Sequence, residues 1–350
     1  MASNILITGA TGFIGRQLTL DLVSAGHAVR VLARSPQKAR ALFADGVEIS
    51  PGDLRDPASL RTACAGIDTV YHVGGVYRFG VRHCREIRQT NIEGTENLMA
   101  AAAAAQVGKI VHVSSASVLG RPKSSSDPWP TLDETDFPPS PPRLSPYKYS
   151  KWEAERRVLA WAGRGLPVVI VNPSCPIGPG DETPTPTGLI IRDFIRGRFT
   201  GYCQVGLNFV NVSDVSAGLQ QAARSGRVGE RYLLTNQNLW LKEFLDDLAD
   251  QTGLPGPRFC LPHWLVQGMS CFGEAFDLLN PCSPSARLCL ETALQARHAH
   301  FFDHAKARRE LGWSPSSIQS GIRLALSWFQ RDSMTESGCA PLPPAKFHVR

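Results

Sequence analysis

With 350 residues, 43% hydrophobic and 19% charged, the chain can bury a sizeable core, and one large α/β unit with a smaller lobe suits it better than several domains. A formal charge of +6, with Lys and Arg interspersed among Asp and Glu, excludes the basic block of a nucleic-acid binder. Nine cysteines with no CxxC pair or Cys/His cluster exclude a zinc site and a small disulfide framework; reduced thiols in a cytoplasmic protein are expected, without a signal-peptide pattern or a bilayer-spanning run.

The first stretch, Asn4 to Gly15, reads NILITGATGFIG: an apolar β-branched strand, a glycine-rich turn, and a helix whose Phe13, Ile14, Leu18 and Leu22 share one face. Gly9 permits the tight turn, Gly12 lets backbone approach a pyrophosphate, and Gly15 lets helix and sheet pack closely. The pyrophosphate then sits on the helix N-terminus, among unpaired amides. Gly9, Thr11, Gly12, Phe13, Ile14 and Gly15 are therefore the expected cofactor-binding residues of this turn. After a stop at Ala25-Gly26-His27, Ala28 to Ala33 reads as the second strand. A carboxylate at its end would mark NAD; Arg34 and Ser35 stand there instead and tilt the reading toward NADP(H) within a general NAD(P) site.

Strands follow at Val47 to Ser50, Thr69 to Val73 and Lys109 to Ser114, with an Ala-rich helix before the last of these. Residues 121 to 146 lose all periodicity to Pro and Ser; a loop this long between a serine-ending strand and a tyrosine-bearing helix is expected to rim an active site. A helix begins at Tyr147, and Gly165 to Pro173 reads as a buried strand. Beyond it the alternation loosens into helices at Val212 to Ala223 and Leu241 to Gln251 with a short strand at Arg231 to Leu234, as in a substrate lobe. The division expected is a dinucleotide-binding unit over 1–173, a substrate lobe over 174–330 partly interleaved with it, ending in a helix near Ser317 to Gln330, and a disordered tail over 331–350.

Tyr147 and Lys151 lie four apart on one helix and project from one face. A neighbouring ammonium, together with an oxidised nicotinamide, would stabilise the phenolate, making Tyr147 a general acid/base toward a carbinol. Lys151 would also hold the nicotinamide ribose. Tyr149 is a weaker candidate, because Lys151 is only two residues away and points elsewhere.

The spacing TGxxGxxG, the YxxxK pair and NPSCPIGPGD (Asn172 to Asp181) together resemble the extended short-chain dehydrogenase/reductase superfamily over nearly the whole chain, which implies a doubly wound parallel α/β sheet of Rossmann type. The resemblance implies further roles. Asp53 and Leu54 would contact adenine, Val73 and Gly74 would flank the cofactor ribose, and Asn91, in an NxxGT segment, would brace the sheet on the cofactor side. Ser115 would hydrogen-bond the substrate oxygen as the catalytic serine, with Ser114 or Ser117 as alternatives by a register slip, and Ser114 is also a cofactor candidate. Pro173, Ser174 and Cys175 would lie near the carboxamide. A homodimer through Arg85 to Ala105 and Tyr147 to Ala162 is a superfamily expectation.

Within the superfamily the chain is similar to dihydroflavonol-reductase-like proteins, including bacterial 3β-hydroxysteroid dehydrogenases of sterol C-4 demethylation and hopanoid-associated sugar epimerases. Gly206 to Val215, with Asn208 and Asn211, lacks an arginine cluster for a diphosphate, and Leu261 to Leu279 is apolar and aromatic: a core-facing lobe helix, the wall of a greasy pocket, or an interfacial helix with weak membrane-surface association. His298, His300 and His304 have no accompanying carboxylate or thiol cluster, so no metal is expected. The leading expectation is an NAD(P)-dependent oxidation of a secondary alcohol on a sterol- or triterpenoid-like molecule. The runner-up is a sugar epimerase or reductase, and a non-catalytic cofactor-binding subunit stands third.

Overall fold

A computed structural model describes residues 3–43, 46–78, 83–120, 126–142, 145–199, 201–279, 293 and 299–337. Its centre is a seven-stranded sheet built from β1 (Asn4–Thr8), β2 (Ala28–Ala33), β3 (Val47–Pro51), β4 (Thr69–His72), β5 (Lys109–Val113), β7 (Val168–Pro173) and β11 (Arg231–Leu234). The strands run in the order β11-β7-β5-β4-β1-β2-β3, and every neighbouring pair is parallel. All six residues of β7 are buried, because helices cover both faces of a parallel sheet and leave no solvated side for polar alternation. One face packs Leu18, Leu22, Val111, Val171 and Leu219, and the other Leu60, Leu98, Ile110, Val158 and Ile170.

The short strand β6 (Thr131–Leu132) lies within the Pro- and Ser-rich stretch, so that stretch is not wholly irregular; residues 121–125, 143 and 144 lie outside the described residues. In the later half, β8 (Cys175–Ile177), β9 (Gly201–Tyr202), β10 (Gly206–Asn211) and β12 (Gln237–Trp240) appear, and β12-β10-β8 form a second, small sheet. It backs a separate core of Phe194, Phe209, Phe244, Leu248 and Phe329. Short strands of this kind carry too little periodicity to be read from sequence, and only Arg231–Leu234 had been expected. The last helix spans Ile318–Ser337, so it continues past Gln330 into the stretch expected to be a disordered tail; residues 338–350 lie outside the described residues. No helix among the described residues is long and apolar enough to cross a membrane.

Candidate active site

The strand order reverses between β1 and β4, and around the carboxyl ends of these strands, β5 and β7 lies one cavity of about 950 Å³. Diverging connections at such a switch point leave a crevice that the sheet itself cannot fill. One arm is lined by Gly9, Thr11, Gly12, Phe13, Ile14 and Gly15 with Arg34, Asp53 and Leu54. The other is lined by Ile190, Val205, Leu207, Val266 and Phe302, and Tyr147 and Lys151 stand over the end of β5.

The glycine-rich arm is shaped by backbone. Gly9 has φ +74°, and a methyl there would lie 2.6 Å from Cα of Gly74. A methyl on Gly15 would run into the Gly9 carbonyl. Gly12 precedes the helix Phe13–Ser24 without any side-chain cap, so the first-turn amides stay available to an anion. The hydroxyls of Ser114 and Ser174, both lining the cavity, are buried and find no hydrogen-bond partner. A backbone cradle that admits no Cβ, with orphaned hydroxyls in its wall, fits a dinucleotide. Pro173 and Cys175 line the same wall, as do Val73 and Gly74.

Several expected residues act differently from their sequence reading. Ser35 caps the helix Pro36–Leu42 by accepting the Lys38 N–H at 3.4 Å, which leaves Arg34 as the exposed group at the end of β2. The Asp53 carboxylate is forked by Arg55, with Nε to Oδ1 at 3.0 Å and Nη2 to Oδ2 at 2.7 Å, and this partner holds its pKa below the usual range. Leu54 wedges against the helix Gly94–Ala104, where a Cβ on Gly94 would lie 2.8 Å from its Cβ. Asn91, expected among the cofactor contacts, is only 2% exposed and lies behind the wall. It accepts the Val76 N–H at 2.7 Å, donates to the Val76 carbonyl at 3.0 Å and to Ser150 Oγ at 2.9 Å, stapling the strand-end loop to the Tyr147 helix.

A buried relay fixes the same loop from below. The Gly74 N–H donates to Thr8 Oγ1 (3.1 Å), which meets His72 Nδ1 at 2.8 Å; His72 Nε2 lies 2.9 Å from Thr95 Oγ1, and that hydroxyl donates to the Asn91 carbonyl (2.7 Å). Because the Thr95 proton is committed to a carbonyl, His72 donates from Nε2, and with the ring kept neutral by burial its Nδ1 accepts from Thr8 Oγ1. Burial pushes its pKa down to about 3. His112 packs against it, tilted, at 5.1 Å between ring centroids and is held well below the ordinary histidine value by the same burial.

Tyr147 and Lys151 both belong to the helix Pro146–Ala162, which opens with Ser145 accepting the Lys148 N–H. Tyr147 interacts with Ser115, whose hydrogen bond pulls the phenol down, and Ser114 and Ser117 line the same cavity. Ser115 Oγ also meets Ser117 Oγ at 2.8 Å, and its carbonyl accepts from Asn172 Nδ2 at 3.1 Å. Burial pushes the Tyr147 phenol up to about 12, against the pull of Ser115. Burial also lowers Lys151 to about 8, opposed by Glu155, and its Nζ donates to the Val113 carbonyl at 3.0 Å. Among the protein's own groups burial thus dominates the phenol, whereas the sequence reading expects lowering by the ammonium together with an oxidised nicotinamide. Tyr149 is 41% exposed and does not line the cavity.

Of the apolar arm, the sequence reading offers only Leu261 to Leu279, as one of its alternatives, and Val266 of that segment lines the cavity. Tyr77 packs against Tyr147 with the rings tilted at 46° and 4.6 Å between centroids and, with Ile190, Leu207 and Val266, lines the cavity. Asn208 and Asn211 serve structure instead: Asn208 pairs with Asn238 at 2.7 Å, and Asn211 with Ser316 at 2.8 Å. The helix His263–Leu279 turns Val266 inward and leaves Trp264 70% exposed. His300 lines the cavity, His304 packs edge-on against Trp313, and His298 lies outside the described residues.

Comparison with known proteins agrees with this geometry. The model described as the NAD dependent epimerase/dehydratase family matches residues 5–234. A protein of Synechocystis sp., provisionally named a dihydroflavonol 4-reductase, is 34% identical over 334 residues, covering 94% of this chain and 95% of its own. Sterol demethylase protein B of Methylococcus capsulatus is 32% identical over 330 residues, covering 94% and 99%. The crystal structure of gox2253 superposes with a TM-score of 0.79 at 34% identity, covering 94% of this chain and 98% of that one.

Proposed function

The chain belongs to the NAD-dependent epimerase/dehydratase family of extended short-chain dehydrogenases/reductases, and from that premise we propose that it oxidises a secondary alcohol on a sterol- or triterpenoid-like substrate. The observation that carries this reading is the apolar arm: Ile190, Val205, Leu207, Val266 and Phe302 line the cavity with Tyr147, and no arginine among the described residues lines that arm, which suits fused hydrocarbon rings better than a sugar diphosphate. The similarity to Sterol demethylase protein B supports the same class.

In this reading Tyr147 and Ser115 contact the substrate oxygen, and Tyr147, as a phenolate stabilised by the Lys151 ammonium and a bound oxidised nicotinamide, accepts its proton while hydride leaves the carbinol carbon. A bound nicotinamide supplies the hydride acceptor. Gly9, Gly12 and Gly15 seat its pyrophosphate, Lys151 holds its ribose, and Arg34 favours a 2′-phosphate, hence NADP. Burial of Tyr147 and Lys151 keeps water from competing for the proton. On a 3β-hydroxysteroid 4-carboxylate, oxidation at C3 produces a β-keto acid. Its carbon–carbon bond to the carboxylate then breaks, carbon dioxide departs, and the electron pair enters an enolate that is protonated to the ketone.

The test is absorbance at 340 nm with purified protein, NAD⁺ or NADP⁺, and 3β-hydroxysterols with and without a 4-carboxyl group, with products weighed by mass spectrometry. Net reduction with loss of carbon dioxide is expected from the carboxylated sterol. No net reduction with any sterol overturns the reading in favour of a sugar epimerase, which returns its hydride to the substrate.

A further inference from the structure

The segment from Gly178 to Thr185 leaves the small sheet, crosses to the cofactor arm and returns into the helix Pro186–Ile195. Gly178 and Gly180, with φ +148° and +92°, mark its departure. At its base Asp181, 3% exposed, accepts the Thr185 N–H at 2.9 Å and the Thr185 hydroxyl at 2.8 Å. Thr185 in turn accepts the Gly188 N–H at 3.1 Å and caps the helix whose Thr187 and Ile190 line the apolar arm.

Glu182 ties the segment to the opposite side. Its Oε1 lies 3.5 Å from Arg16 Nη1 and its Oε2 3.8 Å from Lys38 Nζ. Arg16 follows Gly15 in the helix Phe13–Ser24, and its guanidinium also lies over Trp328 at 5.3 Å. Lys38 follows Arg34 and Ser35 in the helix Pro36–Leu42 and lines the cofactor arm. One carboxylate thus bridges the two helices that frame that arm, from a loop anchored in the lobe.

We propose that residues 178–185 form a strap over the cofactor arm, latched by Glu182 to Arg16 and Lys38, so that the dinucleotide enters and leaves only when both ion pairs part. Glu182 is a positioning residue: it acts on the cofactor through the closure of the strap, and Gly178 and Gly180 absorb the backbone change. The inference rests on dinucleotide binding by this arm and is independent of the alcohol oxidised.

Stopped-flow energy transfer from tryptophan to NADH and to NADPH measures association directly, and chasing with excess oxidised cofactor measures dissociation. Glu182→Gln is expected to raise both rates by about three- to tenfold, the scale of two partly exposed ion pairs. The sign of the paired change is decisive. If Glu182 only repelled phosphates, its removal would speed association and slow dissociation, and that result overturns the strap, as do unchanged rates. A salt series on the unsubstituted protein checks the same point without mutation: salt weakens the latch, so dissociation quickens toward the variant's rate while the variant itself responds less. A protein that binds neither cofactor would fail the dinucleotide reading itself, a result distinguishable from normal binding with unaltered rates.

Discussion

The two arms of the cavity are built from different material. The cofactor arm is backbone: a turn in which Gly9 and Gly15 leave no room for a Cβ, and a helix start with its amides uncapped. The apolar arm is side chain, assembled from two helices, two short strands and residues as far apart as Tyr77 and Phe302. A ligand held by main chain tolerates almost no substitution, whereas one held by side-chain bulk can be exchanged a residue at a time. The difference shows how one cofactor half can serve many substrates.

Substitution at the meeting point of the arms should have the largest effect. Tyr147→Phe is expected to lower turnover by about 10²- to 10⁴-fold while cofactor affinity, by fluorescence titration, stays nearly unchanged. Undiminished turnover would remove Tyr147 from the chemistry. The contrast between the arms is then sharpened by a matched pair. Gly9→Ala should abolish cofactor binding and cost about 2 kcal/mol or more in urea unfolding, since the left-handed turn and the contact with Gly74 both oppose a side chain. Leu207→Ala should leave cofactor binding intact and raise KM for an apolar alcohol by about fivefold, from lost apolar contact. Equal tolerance at the two positions would break the contrast.

The smallest effect concerns pH. His72, with an ordinary value of 6.5 and a buried value of about 3, takes up its proton on unfolding before it does in the fold. Stability is therefore complete above 6.5 and is lost as pH falls toward 3. At pH 5 the loss from this group is about 2 kcal/mol, and His112 adds to it in the same direction. Urea midpoints measured from pH 7.5 to 5 should fall accordingly, and His72→Gln should flatten the slope. A profile that is already flat in the unsubstituted protein would contradict the neutral relay.

The same asymmetry explains what the sequence discloses. Gly9, Gly12, Gly15, Tyr147 and Lys151 are legible because backbone geometry and helical spacing demand particular residues at fixed intervals. β2 is found at Ala28–Ala33 as its alternation predicts. Ile190, Val205 and Leu207 carry no such signal, since an apolar residue facing a cavity reads like one facing a core. The sequence reading gives Asn91 a bracing role on the cofactor side, but only the hydrogen bonds to Val76 and Ser150 reveal which groups it joins. The Ser115 assignment needed the Tyr147 contact, because three nearby serines look alike in one dimension.

The place of β11 has a consequence for how the protein is made. This strand, Arg231–Leu234, completes the main sheet beside β7 in parallel register, though more than fifty residues of lobe separate the two. While the chain is still emerging from the ribosome, β7, wholly buried in the finished fold, has one edge unpaired until residue 234 has been translated. A fragment cut at Pro173 would keep the glycine turn, the catalytic tyrosine and the lysine, yet expose that edge to any strand it met. Expression of the nucleotide-binding half as a separate module should therefore give aggregates, and a boundary for soluble truncations lies beyond Leu234.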